Sequence, residues 1–366
     1  MASGRLPLTV LCLLISLILL PLANASPSSI VKREVRVDTK AGIMGEGTYP
    51  RATYIKDKSL LGCFRSYKNG KLALETVRST DRGKTWKPVG TAITEEKTKH
   101  GLNNCFLHQL PDSDRILMAF RNPERDAKDT KYINHIILVY SSDDGGKTWA
   151  KLSTVATTQT TGLGLWEPFM MDGLNGDLML FFSRETRTDG KDQNNVLVRS
   201  SDGGKTWGKE QTISGGDIQK RDGMVGVARV APGSKKLIAV FESLWDNTGI
   251  TSVTSDDDGK TWGNRRLVYK GTNGPPSEAA PQIVRVGEKT LVVSFSTWED
   301  DREAGDSKPP NVKVVVSTDG GASWGQKTLV HKNCHWAGEV AVDGNSLLVM
   351  CDYDDGTSVS TRVSIH

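Results

Sequence analysis

Two glutamates stand in apolar company: Glu167 in LWEPFMM and Glu242 in AVFESLW. A carboxyl among such neighbours is costly to ionise, which is how a general acid holds its proton near neutral pH. Two carboxyls flanking one glycosidic bond can hydrolyse it, with retention when about 5–5.5 Å apart and inversion when about 6.5–9.5 Å apart. Sugars also need aromatic faces for their C–H surfaces and planar donors and acceptors for their hydroxyls. Tyr49, Arg51, Asn104, Trp166, Arg221, Asp222, Glu278, Trp298, Trp336 and Tyr353 are the candidates for that work. Each has a plainer alternative, because an arginine or carboxylate at such a position can tie two segments together instead of holding a ligand.

These residues need elements that bring them to one place. A phrase recurs five times: STDRGKTW ending at Trp86, SDDGGKTW at Trp149, SSDGGKTW at Trp207, SDDDGKTW at Trp262 and STDGGASW at Trp324. A regular period marks a repeat architecture. Between the phrases lie six pairs of short apolar runs joined by polar turns, beginning at Tyr49, Cys105, Trp166, Met224, Ala279 and Trp336. Two β-enriched runs about a turn read as an antiparallel hairpin. A third run feeds each phrase and a fourth follows its tryptophan. The chain is therefore expected to be all-β, a six-bladed β-propeller of four-stranded antiparallel blades, with the segment IVKREVRVDT completing the last blade. The phrase itself reads as a turn: its Asp caps backbone N–H groups and its fifth-position Gly takes a left-handed conformation. Five such copies around a ring are structural, so their aspartates leave the list of candidates. Hairpin mouths fall at the opposite edge, which gathers the residues named above, with Arg65, Arg121, Arg184, Glu185, Glu299 and Asp352, around one end of the central channel.

The first 25 residues read as a secretory signal peptide: Arg5, an apolar run, then Ala23-Asn24-Ala25 as a cleavage site. Residues 26–366 form the expected single domain, secreted and extracellular. Without Arg5 the formal charge of +4 falls by one, and basic and acidic residues interleave, so neither nucleic acid nor a membrane is an expected partner. Four cysteines remain, and the pairings Cys63–Cys105 and Cys334–Cys351 are expected, with buried free thiols as the alternative. No metal-ligand spacing occurs, and no cofactor is expected. The partner is a polysaccharide or oligosaccharide, and the chain is expected to be a monomer.

The five phrases resemble the Asp-box (BNR) repeat of sialidases and their relatives, over almost the whole mature chain. In that superfamily the box joins the third and fourth strands on the face away from the active site. YPRAT from Tyr49, LWEP with Glu167, RDGMVGVAR from Arg221 and VFES with Glu242 together look like glycoside hydrolase family 93, secreted six-bladed exo-α-1,5-L-arabinanases. The resemblance implies a retaining mechanism on two glutamates, which fall at Glu167 and Glu242, with arabinan as substrate and arabinobiose or short arabino-oligosaccharides as product. Glu167 is taken as nucleophile and Glu242 as acid and base, with the reverse left open. A sialidase is the alternative: Arg51, Arg121, Arg184 and Arg221 could supply its three arginines, but the first blade reads Tyr-Pro-Arg where sialidases show Arg-Ile-Pro. A carbohydrate-binding propeller without catalysis is the third reading.

Overall fold

The computed structural model describes Met1 and residues 33–126, 128, 131–159, 162–244, 249–271, 278–300 and 308–366. The expected signal peptide thus lies outside the described residues, apart from Met1. All described secondary structure is strand. In chain order, β1 (Val35–Val37) and β2 (Gly42–Glu46) precede a meander of β3 (Thr48–Tyr54), β4 (Leu60–Lys68), β5 (Lys71–Ser79) and β6 (Lys87–Glu95). The second meander has β7 (Asn103–Gln109), β8 (Ile116–Arg121), β10 (Tyr132–Ser142) and β11 (Ala150–Thr158), with the two-residue β9 (Glu124–Arg125) on β10. Then come β12 (Leu165–Asp172), β13 (Leu178–Glu185), β14 (Gln193–Ser200) and β15 (Gln211–Ser214), followed by β16 (Arg221–Arg229), β17 (Leu237–Leu244), β18 (Gly249–Ser255) and β19 (Gly263–Tyr269). The last meanders are β20 (Glu278–Val286), β21 (Thr290–Thr297), β22 (Asn311–Ser317) and β23 (Gly325–His331), then β24 (Cys334–Asp343), β25 (Ser346–Tyr353) and β26 (Thr357–Ile365).

The architecture is an all-β propeller built from four-stranded antiparallel meanders. Hydrogen bonding groups them into five sheets, not the six expected, because Gln193 of β14 pairs in parallel with Arg221 of β16 and fuses β12–β15 with β16–β19 into eight strands. The terminal sheet is completed from the other end of the chain: β1 pairs with β26 through Val35↔Ile365, and β2 through Gly42↔Ser360.

Apolar layers lie between successive meanders. Leu61 and Leu74 meet Leu107 and Phe120 between the first two, and Leu178 and Phe182 meet Leu117 and Val139 between the next. The layer joining last to first is the smallest, holding Met44, Phe64, Val77 and Met350. The five Asp turns take the form their sequence dictates. In the third, Thr206 N–H and Oγ donate to Asp202 Oδ1 (2.9 Å) and Oδ2 (2.6 Å), and Gly204 N–H donates to Ser200 Oγ (2.8 Å). Gly204 has φ +88°, a conformation that favours glycine. These bonds, that from the Thr206 hydroxyl first, hold the Asp202 carboxyl well below its ordinary range, which suits a fixed anion and not a proton donor. Trp207 then donates from Nε1 to Ser153 Oγ of the preceding meander (3.0 Å).

Of the two expected disulfides, Cys334–Cys351 forms, clamping β24 to β25. Cys63 and Cys105 are free thiols instead. They lie on β4 and β7, strands of different sheets, and pack as small apolar groups in the layer between them. Burial, reinforced by the neighbouring Cys105, pushes the Cys63 thiol up, so it stays protonated and unreactive. Among the described residues, His331, Cys334 and Cys351 could group around a metal, but both sulfurs are spent on each other.

Candidate active site

Each innermost strand carries a bulge at the same place. The strand register slips between Thr48 and Arg51, Asn103 and Phe106, Trp166 and Phe169, Gly223 and Gly226, Ala279 and Gln282, and His335 and Gly338. The first residue inside each slip is left-handed: Tyr49, Asn104, Glu167, Met224, Ala280 and Trp336, with φ between +37° and +60°. None is glycine, so each costs roughly 1–2 kcal/mol. Bulges re-aim side chains, and here one residue per meander is re-aimed at the same end of its strand, Glu167 among them.

A second ring faces the first. Paired with the residue before each bulge are Arg65, Arg121, Ser183, Glu242, Ser296 and Asp352, near the ends of the second strands. Three of them accept the bulge N–H of the following meander: Ser183 Oγ from Met224 (3.1 Å), Glu242 Oε2 from Ala280 (2.9 Å) and Asp352 Oδ1 from Tyr49 (2.9 Å). Arginine cannot accept an N–H, so at the equivalent positions the guanidinium groups face a different use. Arg121 lies 4.1 Å over the Trp166 ring, with Nε and Nη1 buried and without a partner.

The two glutamates share one electrostatic environment. Burial raises Glu167 to about 7; Arg121 pulls it down, the Glu242 charge pushes it up, and Arg221 and Arg51 pull it down again. Burial also raises Glu242, opposed by the Ala280 N–H and by Arg221. With Oε2 held by Ala280, Oε1 is the oxygen left for chemistry. Gly223 spares room there: a Cβ on it would come within 2.6 Å of Gln193 Nε2 and 3.3 Å of Glu242 Oε1. Arg221 is itself fixed by Glu185 Oε1 (2.7 Å) and the Gly190 carbonyl (3.2 Å). Arg51, only 2% exposed, donates from Nη1 to the carbonyls of Pro50 (2.8 Å) and Trp336 (3.1 Å), leaving Nε and Nη2 unpartnered. Asn104 is buried with its Oδ1 unpartnered. Trp336 stands 41% exposed at the mouth.

Four expected sugar contacts are committed elsewhere. Asp222 is 0% exposed, its carboxylate clasped by Arg265 (2.7 Å to each oxygen) and by the Ser243 hydroxyl (2.9 Å). Strand alternation explains this: Gly223, its neighbour, faces Glu242, so Asp222 faces the other side. Tyr353 fails for the same reason, since its neighbour Asp352 faces the first meander while its own hydroxyl meets His331 Nδ1 (3.1 Å). Glu278, 1% exposed, accepts the Gly271 N–H (3.0 Å). Trp298 donates from Nε1 to the Lys308 carbonyl (2.8 Å). Asp222→Ala is expected to cost roughly 3 kcal/mol by stranding Arg265, read from urea unfolding; wild-type stability would show the pair to be idle.

Ser183 and the part played by Asp352 were not expected from the sequence. Burial raises Asp352 to about 7, opposed by the Tyr49 N–H, His335, Arg51 and Arg65. Their signal was present, because aligning the six hairpin ends puts both in the column that holds Glu242. A cleft of 370 Å³ beside Asp57, Arg78, Asp114 and Asp143 lies at the Asp-turn edge, away from this chemistry. Its acids are paired, Asp57 with Arg78 (3.1 Å), Asp114 with Lys56 (2.8 Å) and Asp143 with Arg115 (2.8 Å).

Comparison with known proteins gives the family and the fold. The family model described as BNR repeat-like domain matches residues 116–351. A sialidase of Micromonospora viridifaciens is 30% identical over 222 residues, which cover 53% of this chain; the match spans 31% of that sialidase's length. Among solved structures, an α-L-arabinofuranosidase of Fusarium graminearum bound to an iminosugar inhibitor shares the fold with TM-score 0.68 at 21% identity, over 88% of this chain and 96% of that one. An α-L-arabinanase of Penicillium chrysogenum complexed with arabinobiose gives TM-score 0.69 at 18% identity, over 90% and 98%.

Proposed function

The chain belongs to the BNR repeat-like domain family, and from that premise we propose that it is an exo-acting, retaining glycoside hydrolase that releases arabinobiose or short arabino-oligosaccharides from α-1,5-linked L-arabinan. One observation carries the reading. Glu167 and Glu242 stand at the same bulged end of successive hairpins, burial raises both carboxyls, and the charge of Glu242 raises Glu167 further.

That coupling also orders the two roles. The Ala280 N–H donated to Glu242 Oε2 favours the carboxylate there, and that charge helps Glu167 keep its proton, so the roles are taken opposite to the assignment made from sequence. Glu242 Oε1 attacks the anomeric carbon as the glycosidic C–O bond breaks, and Glu167 gives its proton to the leaving oxygen. Glu167 then takes a proton from water, whose oxygen displaces Glu242 and restores both groups. Arg51, Arg121 and Asn104 supply donors and an acceptor for sugar hydroxyls, and Trp336 supplies an exposed aromatic face.

A second reading, exo-α-sialidase, is favoured by one feature: Nε and Nη2 of Arg51, Nε and Nη1 of Arg121 and Nε of Arg65 are buried and unpartnered, as donors awaiting a carboxylate would be. Incubation with linear arabinan, debranched arabinan and sialyllactose, followed by chromatography, separates the readings. Arabino-oligosaccharides are expected. Free sialic acid selects the sialidase, and binding without products selects a non-catalytic propeller.

Two broader readings accompany this one. The eight-stranded sheet counts as two blades joined by one bridge, which brings the ring to six. The leader argues for a secreted protein, to be tested by sequencing the N-terminus of the extracellular form, expected at Ser26.

A further inference from the structure

Tyr49 has neighbours on four of the six innermost strands, its own included, and interacts electrostatically with groups on the other two. Its ring lies under the Arg51 guanidinium of β3 at 3.8 Å and 6.1 Å from the Trp336 ring of β24. It packs with Met224 of β16 and with Ala279 and Ala280 of β20. Glu167 of β12 and Cys105 of β7 are close enough to act on its hydroxyl, which burial keeps protonated. A side chain that packs against four strands of a ring and feels groups on the remaining two stands near the ring's axis. Tyr49 is 4% exposed, whereas Trp336, the other large aromatic among the bulge residues, is turned outward.

We propose that Tyr49, clamped by Asp352 and Arg51, is the plug of the central channel: it makes the sugar site blind and restricts it to chain ends. The clamp is the hydrogen bond from Tyr49 N–H to Asp352 Oδ1 (2.9 Å), which holds a large residue at φ +60°. Ser183 and Glu242 make the same bond to Met224 and Ala280, which lack a rigid ring to project. A polymer facing a plugged channel cannot thread through and must present an end. The consequence for substrates rests on the glycosidase reading; the plug itself does not.

The test therefore has an arm independent of turnover. Cys105 is buried in the layer between the first two meanders, near enough to act on the Tyr49 hydroxyl, so removing the Tyr49 ring should open a path to it for a thiol reagent in the channel. Native protein is treated with a maleimide, and labelling is mapped to the Cys105 peptide by mass spectrometry. Wild type and Tyr49→Phe are expected to label slowly. Tyr49→Ala is expected to label at least about tenfold faster, as is Asp352→Ala, with Asp352→Asn restoring protection because its amide oxygen still accepts the Tyr49 N–H. Asp222→Ala, destabilised away from the axis, serves as the control. The proposal fails if Cys105 labels in Tyr49→Ala at the wild-type rate, or if the control reproduces the increase. Should Tyr49→Ala not fold, Tyr49→Leu replaces it with the same expectations.

The second arm uses linear arabino-oligosaccharides labelled at the reducing end. Wild type is expected to cut only near the other end, and Tyr49→Ala to cut internally as well. End-restricted products from a Tyr49→Ala protein whose Cys105 labels rapidly would overturn the link between plug and specificity. Rapid labelling with no arabinan cleavage by any variant, wild type included, would instead leave the plug standing and sink the substrate reading.

Discussion

Glu242→Ala is expected to lower kcat on linear arabinan by roughly 10⁴-fold or more while the protein stays folded. The size follows from the role, since with Oε2 fixed by the Ala280 N–H the alanine removes the attacking Oε1 and puts nothing in its place. Added azide should then restore turnover by taking the place of the missing oxygen. Displacement at the anomeric carbon by azide in place of Glu242 inverts configuration once, so the product should be the glycosyl azide of inverted anomer. A retained anomer would mean that azide had entered after a covalent intermediate formed elsewhere, and the roles of Glu167 and Glu242 would have to be exchanged. Turnover at the wild-type rate would remove Glu242 from the chemistry altogether.

Glu167→Gln is expected to change the pH profile as well as the rate. With Glu167 raised to about 7, its proton is present below that pH and lost above it, so wild-type kcat/KM should fall about tenfold per pH unit on the alkaline side. The glutamine has no proton to lose, and that limb should vanish. Arabinan turnover should drop by about 10²–10⁴-fold, with a much smaller loss on aryl arabinosides whose leaving group needs no proton. An unchanged alkaline limb would assign it to another group, Asp352 being the first to examine. Stability should move the other way. A carboxyl whose folded pKa lies above its unfolded value binds more protons when folded, so it takes away stability as pH rises from about 4 to 7. At pH 8 the uncharged glutamine should therefore raise Tm, by a few degrees at this chain length.

How much of this was legible in the sequence differs from residue to residue. The ring was readable from the five Asp phrases, because each encodes a complete hydrogen-bonded turn within eight residues and needs no distant partner. The burial of the Glu167 and Glu242 carboxyls was readable from their apolar flanks. Asp222 and Tyr353 were misread because each sits one residue away from the position that faces the mouth, and a strand reverses its face at every step. The bulges make that phase hard to follow, since each inserts a residue and none announces itself with glycine: Tyr49, Asn104, Glu167, Met224, Ala280 and Trp336 adopt the left-handed conformation without it. The fused eight-stranded sheet depends on one parallel pair, Gln193 with Arg221, which no local pattern encodes. Cys63 and Cys105 show the limit of counting: an even number of cysteines says nothing about whether two strands in different sheets bring sulfur to sulfur.

The pairing of β1 and β2 with β26 has a consequence for biosynthesis. During translation every earlier meander can collapse as it emerges, but the circle cannot shut until Thr357–Ile365 leaves the ribosome. Until then β25 keeps an unpaired edge, and the small apolar layer containing Met44 and Met350 is exposed. Exposed edges and late long-range contacts are where slow-folding chains aggregate. Yield of intact protein should accordingly depend on Val35–Val37, Gly42–Glu46 and Thr357–Ile365, since loss of the strands on either side of this pairing leaves the same gap.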